Sequence, residues 1–159
     1  MKILKELIPY LIIIIVVILV RTFIATPVIV DGPSMNKNLN DNDLVIVCKV
    51  CEVKRDSIVV LRELDDNEKI IKRIIGMPGE TIEITNGVIY INDKRYNDIY
   101  SYGETSDYQK VTLKDDEYFI LGDNRLISKD SRYFGPIKAE SIIGTAVYRL
   151  YPFTKIGSI

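Results

Sequence analysis

The sequence predicts a mainly β protein: a single apolar N-terminal helix followed by an antiparallel β-sheet domain. Three observations lead there. Residues 7–20, LIPYLIIIIVVILV, carry no charge. Beyond residue 30, long apolar runs of 3.6-residue period give way to short β-branched runs divided by Gly, Asn, Asp and Pro. Finally, residues 81–91, TIEITNGVIYI, set two alternating runs around Asn86-Gly87, a pair that takes positive φ in a type I′ hairpin turn.

The apolar segment has the length of a membrane span. Extended to Ala25 it gives a helix of roughly 28 Å, close to the ~30 Å hydrocarbon core. Arg21 lies near its far end, where a long side chain reaches the headgroups. A cleavable leader would need a small-x-small site after the run, and Phe23 spoils that pattern before Ala25. β-Branched residues around every face suit lipid better than a half-wet core helix. Lys2 and Lys5 against Glu6 place the N-terminus in the cytoplasm. The expected organisation is therefore a cytoplasmic N-terminus and anchor over residues 1–26 and an extracytoplasmic domain over residues 27–159.

In that domain, strands are expected at residues 44–47, 57–61, 70–75, 81–85, 88–91, 118–121 and 143–150. Residues 93–110, with Tyr96, Tyr100, Tyr102 and Tyr108 among charges, read as an irregular surface excursion.

Composition limits the chemistry. With 21 Lys+Arg against 22 Asp+Glu there is no basic excess for a nucleic-acid partner. The chain has no histidine, which excludes a Ser-His-Asp triad and every His-containing metal site. Proton transfer near neutral pH must then use a carboxylate, or a lysine, cysteine or tyrosine in an unusual environment.

A serine with a lysine partner is one solution. Ser34, in Gly32-Pro33-Ser34-Met35, sits in a tight turn close after the anchor, where an ordinary turn serine is also at home. Lys37 gives a Ser-x-x-Lys spacing, but the S-D-N and K-T-G partners of that motif are missing, so Lys37 reads as a solvated loop residue. Lys72 and Arg73 sit between isoleucines in Ile70-Ile71-Lys72-Arg73-Ile74-Ile75, pointing to opposite strand faces. Arginine stays protonated, whereas a desolvated lysine can give up its proton. Bringing a lysine from about 10.4 towards neutrality costs roughly 3–4 kcal/mol of burial. A snorkelling edge-strand lysine is the bland alternative. In the polar run 122–136, Ser128, Asp130 and Arg132 alternate and share one face of an extended chain, so Asp130 can pair with Arg132.

Cys48 and Cys51 lack the further soft ligands of a zinc site. On a straight strand residues three apart face opposite sides, so two separate thiols are favoured over a local disulfide, which would need a turn there. A redox role lacks its βαβ setting.

Taken in order, the segments Gly32-Pro33-Ser34-Met35 with Leu39, Asp43-Leu-Val-Ile-Val, Lys72-Arg-Ile-Ile-Gly-Met-Pro-Gly-Glu and Gly122-Asp-Asn-Arg…Ser128-Lys-Asp130-Ser-Arg132-Tyr-Phe-Gly resemble the boxes of type I signal peptidases. Residues 143–157 are similar to the family's C-terminal segment, and the resemblance covers the whole chain, anchor included.

The resemblance implies a membrane-bound Ser-Lys endopeptidase that removes signal peptides from exported preproteins, with an antiparallel β-sheet catalytic domain of the signal-peptidase type. Its partners are those preproteins and the lipid bilayer, and it uses no metal or organic cofactor. By position, Ser34 is the nucleophile and Lys72 the general base. Ser128 orients the amine, and Asp130 and Arg132 form a supporting pair. The Ser34 N–H is one oxyanion donor. Gly32 stands where some relatives have a serine as the second, and Pro33 has no N–H. Val30, Met35, Leu39 and Ile70 match positions lining the family's shallow substrate pockets and are equally credible as core. Two departures stand out: Lys37-Asn38 where the family usually has Pro-Thr, and Asn42 where it has Gly. The alternatives are a narrower Ser-Lys processing peptidase and an inactive membrane-tethered β module.

Overall fold

The computed structural model describes residues 2–62 and 69–159, with side chains from residue 6 onward. Helix α1 (Lys2–Leu19) runs into a π-helical turn (Val20–Ile24). None of the residues Glu6–Ile24 is buried in the rest of the chain, and the helix is long and apolar enough to cross a membrane.

The strands that follow are β1 (Ala25–Ile29), β2 (Leu44–Cys48), β3 (Ile58–Arg62), β4 (Lys69–Gly76), β5 (Thr81–Thr85), β6 (Val88–Ile91), β7 (Lys94–Arg95), β8 (Tyr108–Thr112) and β9 (Glu117–Leu121). After the short helix α2 (Ser131–Phe134) come β10 (Ile137–Lys138), β11 (Ile142–Tyr151) and β12 (Gly157–Ser158). They form one large antiparallel sheet, ordered β1-β2-β11-β3-β4-β9-β10 with β12 on β11, and a smaller one ordered β7-β6-β5-β8.

All seven expected strands are present, each beginning within one residue of its expected start. The Asn86-Gly87 turn has φ of 51° and 74°, as a type I′ turn requires. Five strands, β1, β7, β8, β10 and β12, escaped the pattern. β1 continues the apolar run of the anchor without a break, so the expected boundary after residue 26 falls inside it. It is an edge strand, which is why Pro27 is tolerated there. The stretch expected to be irregular, 93–110, contains β7 and the start of β8, whose pairing with β5 brings Val111 opposite Ile82.

β3 is buried on both faces. Ile58 and Val60 join Val30, Met35, Leu39, Val45, Val47, Ile71 and Ala146 in one core cluster, while Val59 and Leu61 join Ile74, Ile120 and Ile137 in another. A third cluster, with Ile75, Phe119 and Leu121 from the large sheet and Ile82, Ile84, Ile89 and Ile91 from the small one, joins the two sheets. The first cluster lies under the Gly-Pro-Ser turn and positions it.

The expectation of two separate thiols is corrected. Cys48 and Cys51 form a disulfide with Cα atoms 5.5 Å apart. Cys48 is the last residue of β2, and the chain bends through Lys49 and Val50, so the straight-strand geometry that keeps such residues apart ends at Cys48.

Gly144 packs against the same place. A Cβ there would lie 3.0 Å from the Cys48 carbonyl carbon, with the carbonyl oxygen closer still. Backbone cannot move aside cheaply, so Gly144→Ala is expected to cost about 1–3 kcal/mol. Urea unfolding of the detergent-solubilised chain measures this, and an unchanged midpoint would contradict the close approach.

Candidate active site

Ser34 is carried by a tight turn. Gly32 has φ of 81°, available to glycine at little cost, and its N–H donates to Asp41 Oδ1 at 2.9 Å. Asn38 N and Leu39 N both donate to the Met35 carbonyl, at 3.1 and 2.8 Å. Met35 and Leu39 are fully buried and plug the turn into the core below. Asn42 takes φ of 66°, so the asparagine in place of glycine fulfils the same backbone need.

Lys72 approaches from β4. Its Nζ lies 3.0 Å from Ser34 Oγ and 3.1 Å from the Ile71 carbonyl oxygen. The residue is only 5 % exposed. The two residues singled out in sequence, 38 positions apart, therefore meet at hydrogen-bonding distance.

The Gly122-Asp123-Asn124-Arg125 loop closes over the pair. In the β4–β9 ladder Arg73 stands opposite Leu121, and one further step brings Gly122 opposite Lys72. Asn124 N donates to the Ser34 carbonyl at 2.9 Å, and Asn124 Nδ2 to the Pro33 carbonyl at 3.3 Å. A side chain at 122 would collide with Ser128 Oγ and Cβ and come within 2.8 Å of the Ser34 carbonyl oxygen. Ser128 thus faces the nucleophile's backbone across space that only glycine leaves open. Its hydroxyl is buried and, among the described residues, has no hydrogen-bond partner.

Asp130 and Arg132 form the expected pair, with Arg132 Nε donating to Asp130 Oδ1 at 2.8 Å. The carboxylate, 0 % exposed, also accepts from Gly122 N at 2.9 Å and caps α2 through Arg132 N. Arg132 in turn donates to the Ser128 carbonyl at 3.2 Å. The pair therefore ties Gly122 to Ser128.

Four contributors escaped the sequence reading. Arg73 donates twice to Asp123, from Nε at 2.8 Å and from a terminal nitrogen at 2.7 Å, and this ion pair is buried. Arg73 also donates to the Asp56 carbonyl at 2.7 Å and stacks over Tyr100 at 3.9 Å. Burial and the carboxylate of Asp56, to which the phenol donates, push the pKa of nearby Tyr96 up. Asn38 Nδ2 donates to Asp123 Oδ2 at 2.7 Å and to the Tyr100 carbonyl at 3.2 Å. Asn124 is the fourth. A charged Arg73 set between isoleucines was the one available signal that a buried carboxylate must exist. Lys37 is exposed and lies 4.7 Å over the Tyr102 ring, in keeping with a loop residue.

Of the four pocket candidates, Val30, Met35 and Leu39 belong to the core cluster beneath the turn, and Ile70 is half-buried against another. A groove of about 340 Å³ is lined by Pro27, Val28, Ile29, Asp31, Lys69 and Ile71, none of them among those four.

A lysine amine set on a serine hydroxyl, on a mainly antiparallel sheet, is the equipment of a serine hydrolase that works without imidazole. Residues 3–151 match the family described as "Signal peptidase, peptidase S26". The chain is 36% identical over 159 residues to "Signal peptidase I" of Bacillus amyloliquefaciens, covering 90% of this chain and 85% of the relative. It is 34% identical over 200 residues to "Signal peptidase I" of Streptococcus pneumoniae serotype 4, covering 98% and 96%. It is similar to the crystal structure of a signal peptidase I from Enterococcus faecalis V583, with a TM-score of 0.54, 33% identity and coverage of 60% of this chain and 97% of the other. The chain belongs to the signal peptidase family, peptidase S26.

Two substitutions probe the geometry. Gly122→Ala drives Ser128 away from the nucleophile's backbone and is expected to lower peptidase activity at least ~10²-fold while the chain still folds. Kinetics alongside circular dichroism test this; near-normal turnover would contradict the packing. Asp123→Ala strands the Arg73 charge and is expected to destabilise the chain by about 3–5 kcal/mol. Denaturant unfolding reads that loss, and a change under 1 kcal/mol would show the pair to be unimportant.

Proposed function

We propose that this chain is a membrane-bound serine endopeptidase that cleaves N-terminal signal peptides from exported preproteins, with Ser34 as nucleophile and Lys72 as general base. The observation that carries the reading is the 3.0 Å approach of Lys72 Nζ to Ser34 Oγ in a chain without histidine.

A lysine acts as a base only as the free amine, and removing water around it favours that form. Ser34 Oγ attacks the scissile carbonyl and Lys72 Nζ takes its proton. The Ser34 N–H stabilises the oxyanion. Gly32 N–H, bonded to Asp41, is committed elsewhere. Lys72 then returns the proton to the leaving amine, which departs as the new N-terminus of the mature protein. The signal peptide remains as an ester on Ser34. A water, deprotonated by the same amine, hydrolyses that ester and restores both groups.

We assign to Ser128 the orienting of the amine once substrate is bound, since its buried hydroxyl has no hydrogen-bond partner among the described residues. The Asp130–Arg132 pair fixes the loop that carries it. The groove lined by β1 and the start of β4 receives the residues before the cut in extended form. β1 is an edge strand with hydrogen-bonding groups to offer such a peptide. The apolar helix anchors the chain in the cell membrane, single-pass. Lys2 and Lys5 keep the N-terminus cytoplasmic, so that residues 27–159 work outside on preproteins held in the same bilayer.

Ser34→Ala and Lys72→Ala are each expected to lower preprotein cleavage by at least about 10³-fold with the fold retained. Gel assays of a preprotein in liposomes measure this, and full activity in either variant removes that residue from the dyad. Because the base is an amine, the rate should rise with pH as the ammonium loses its proton and then level off. It is lost as pH falls through that titration. A rate that stays flat from about pH 5 to 10, with chemistry limiting, contradicts an amine base.

A further inference from the structure

The disulfide-closed turn after β2 has no part in the chemistry above, yet it meets the exit of the anchor. Lys49, the residue after Cys48, donates from Nζ to the carbonyl oxygens of Arg21 at 3.0 Å and Thr22 at 2.8 Å. Its backbone N–H donates to the Ile24 carbonyl at 2.8 Å. These carbonyls belong to the closing π-helical turn, where no later helical N–H meets them and where the helix dipole favours a cation. The disulfide joins Cys48 to Cys51 across Lys49 and Val50, so this cation sits on a short covalent ring. Cys48 is itself paired on both sides, with Ala25 of β1 and Thr145 of β11.

From that exit to the nucleophile the chain is held throughout. β1 pairs with β2 from Ala25↔Cys48 to Ile29↔Leu44. The pairing then continues through Val30 N to the Asp43 carbonyl at 2.8 Å and Asn42 N to the Val30 carbonyl at 2.9 Å, two residues before Gly32. A five-residue strand spans about 17 Å. The helix end and the Ser34 turn are thus opposite ends of one braced strand, and the brace at the membrane end is the Cys48–Cys51 turn with its lysine.

We infer that Lys49, held by the Cys48–Cys51 ring, is a positioning residue: it caps the anchor helix and so fixes the height and tilt at which the Ser34–Lys72 site stands over the bilayer. This deepens the proposed function, on which it rests. A preprotein's signal peptide enters the same bilayer, so its scissile bond arrives at a set depth, and a site held at fixed height selects for bonds at that depth. A short peptide in water has no such constraint.

The test uses the full-length chain in liposomes and has two arms. In the first, spin labels on non-natural residues at positions 14 and 85 report the helix-to-domain distance by pulsed EPR, without disturbing the disulfide. The parent should give one narrow distribution. Lys49→Ala and the double variant Cys48→Ser/Cys51→Ser should each broaden or shift it, and Lys49→Arg should restore it. In the second, cleavage of a bilayer-inserted preprotein is compared with cleavage of a soluble peptide spanning the same bond. Lys49→Ala should lose on the order of ten-fold on the preprotein and less than about two-fold on the peptide. Unchanged distance distributions in both variants overturn the inference, and so does an equal loss on both substrates. A parent chain that cleaves neither substrate would sink the proposed function instead, and the distance arm still decides the brace.

Discussion

Lys72 and Arg73 are neighbours on β4, and the site is arranged around having to bury two adjacent basic side chains. Their side chains leave opposite faces of the strand, so they cannot share a counter-charge. Arginine keeps its proton and must be given a carboxylate, which Asp123 supplies bidentately from the loop after β9. Lysine, unlike arginine, can give up its proton, and its Nζ meets Ser34 Oγ and the Ile71 carbonyl. Because Asp123 lies next to Gly122 and Asn124, satisfying the arginine also brings that loop over the serine. The ion pair thus does structural work that sets the geometry of the dyad.

The nucleophile turn is gripped from two sides. Below, Met35 and Leu39 are buried in the core; above, Asn124 holds the carbonyls of Pro33 and Ser34. Asp130 and Arg132 hold the returning chain, so that Ser128 presses onto Gly122. The departure at Lys37-Asn38 also finds its compensation here. The structure has no proline to stiffen the turn after Ser34, but Asn38 ties it by hydrogen bonds to Asp123 and to the Tyr100 carbonyl. Rigidity supplied in the family by a ring is supplied here by a side-chain amide on the same ion pair.

Much of this was legible before the structure, for physical reasons. Strand positions follow from two-residue alternation and turn chemistry, which are local, and β2 to β6 came through nearly residue for residue. Ser34 and Lys72 stood out because a chain without histidine leaves few ways to make a base. What was hidden was either masked or non-local. β1 was masked because its apolar residues continue the anchor's, and β8 because its sequence, Tyr-Gln-Lys-Val-Thr, alternates only weakly. Arg73 and Asp123 lie 50 positions apart, and neither announces its partner. The cysteines were misjudged because straight-strand geometry was applied past residue 48, where β2 ends and the chain turns. Val30, Met35 and Leu39, readable as pocket wall or core, are core because the turn has to be plugged into something.

An amine at position 72, held against Ser34, is the base on which the proposed chemistry depends. The most direct measurement starts from Lys72→Cys, which removes the amine, and then alkylates that thiol with bromoethylamine under non-reducing conditions. The product is a thioether of lysine's length ending in a primary amine, while Cys48 and Cys51 stay protected in their disulfide. The cysteine variant should be inactive, and preprotein cleavage should return in step with the extent of aminoethylation. A cysteine variant that is active before treatment, or a fully aminoethylated chain that stays inactive although folded, would contradict an amine base.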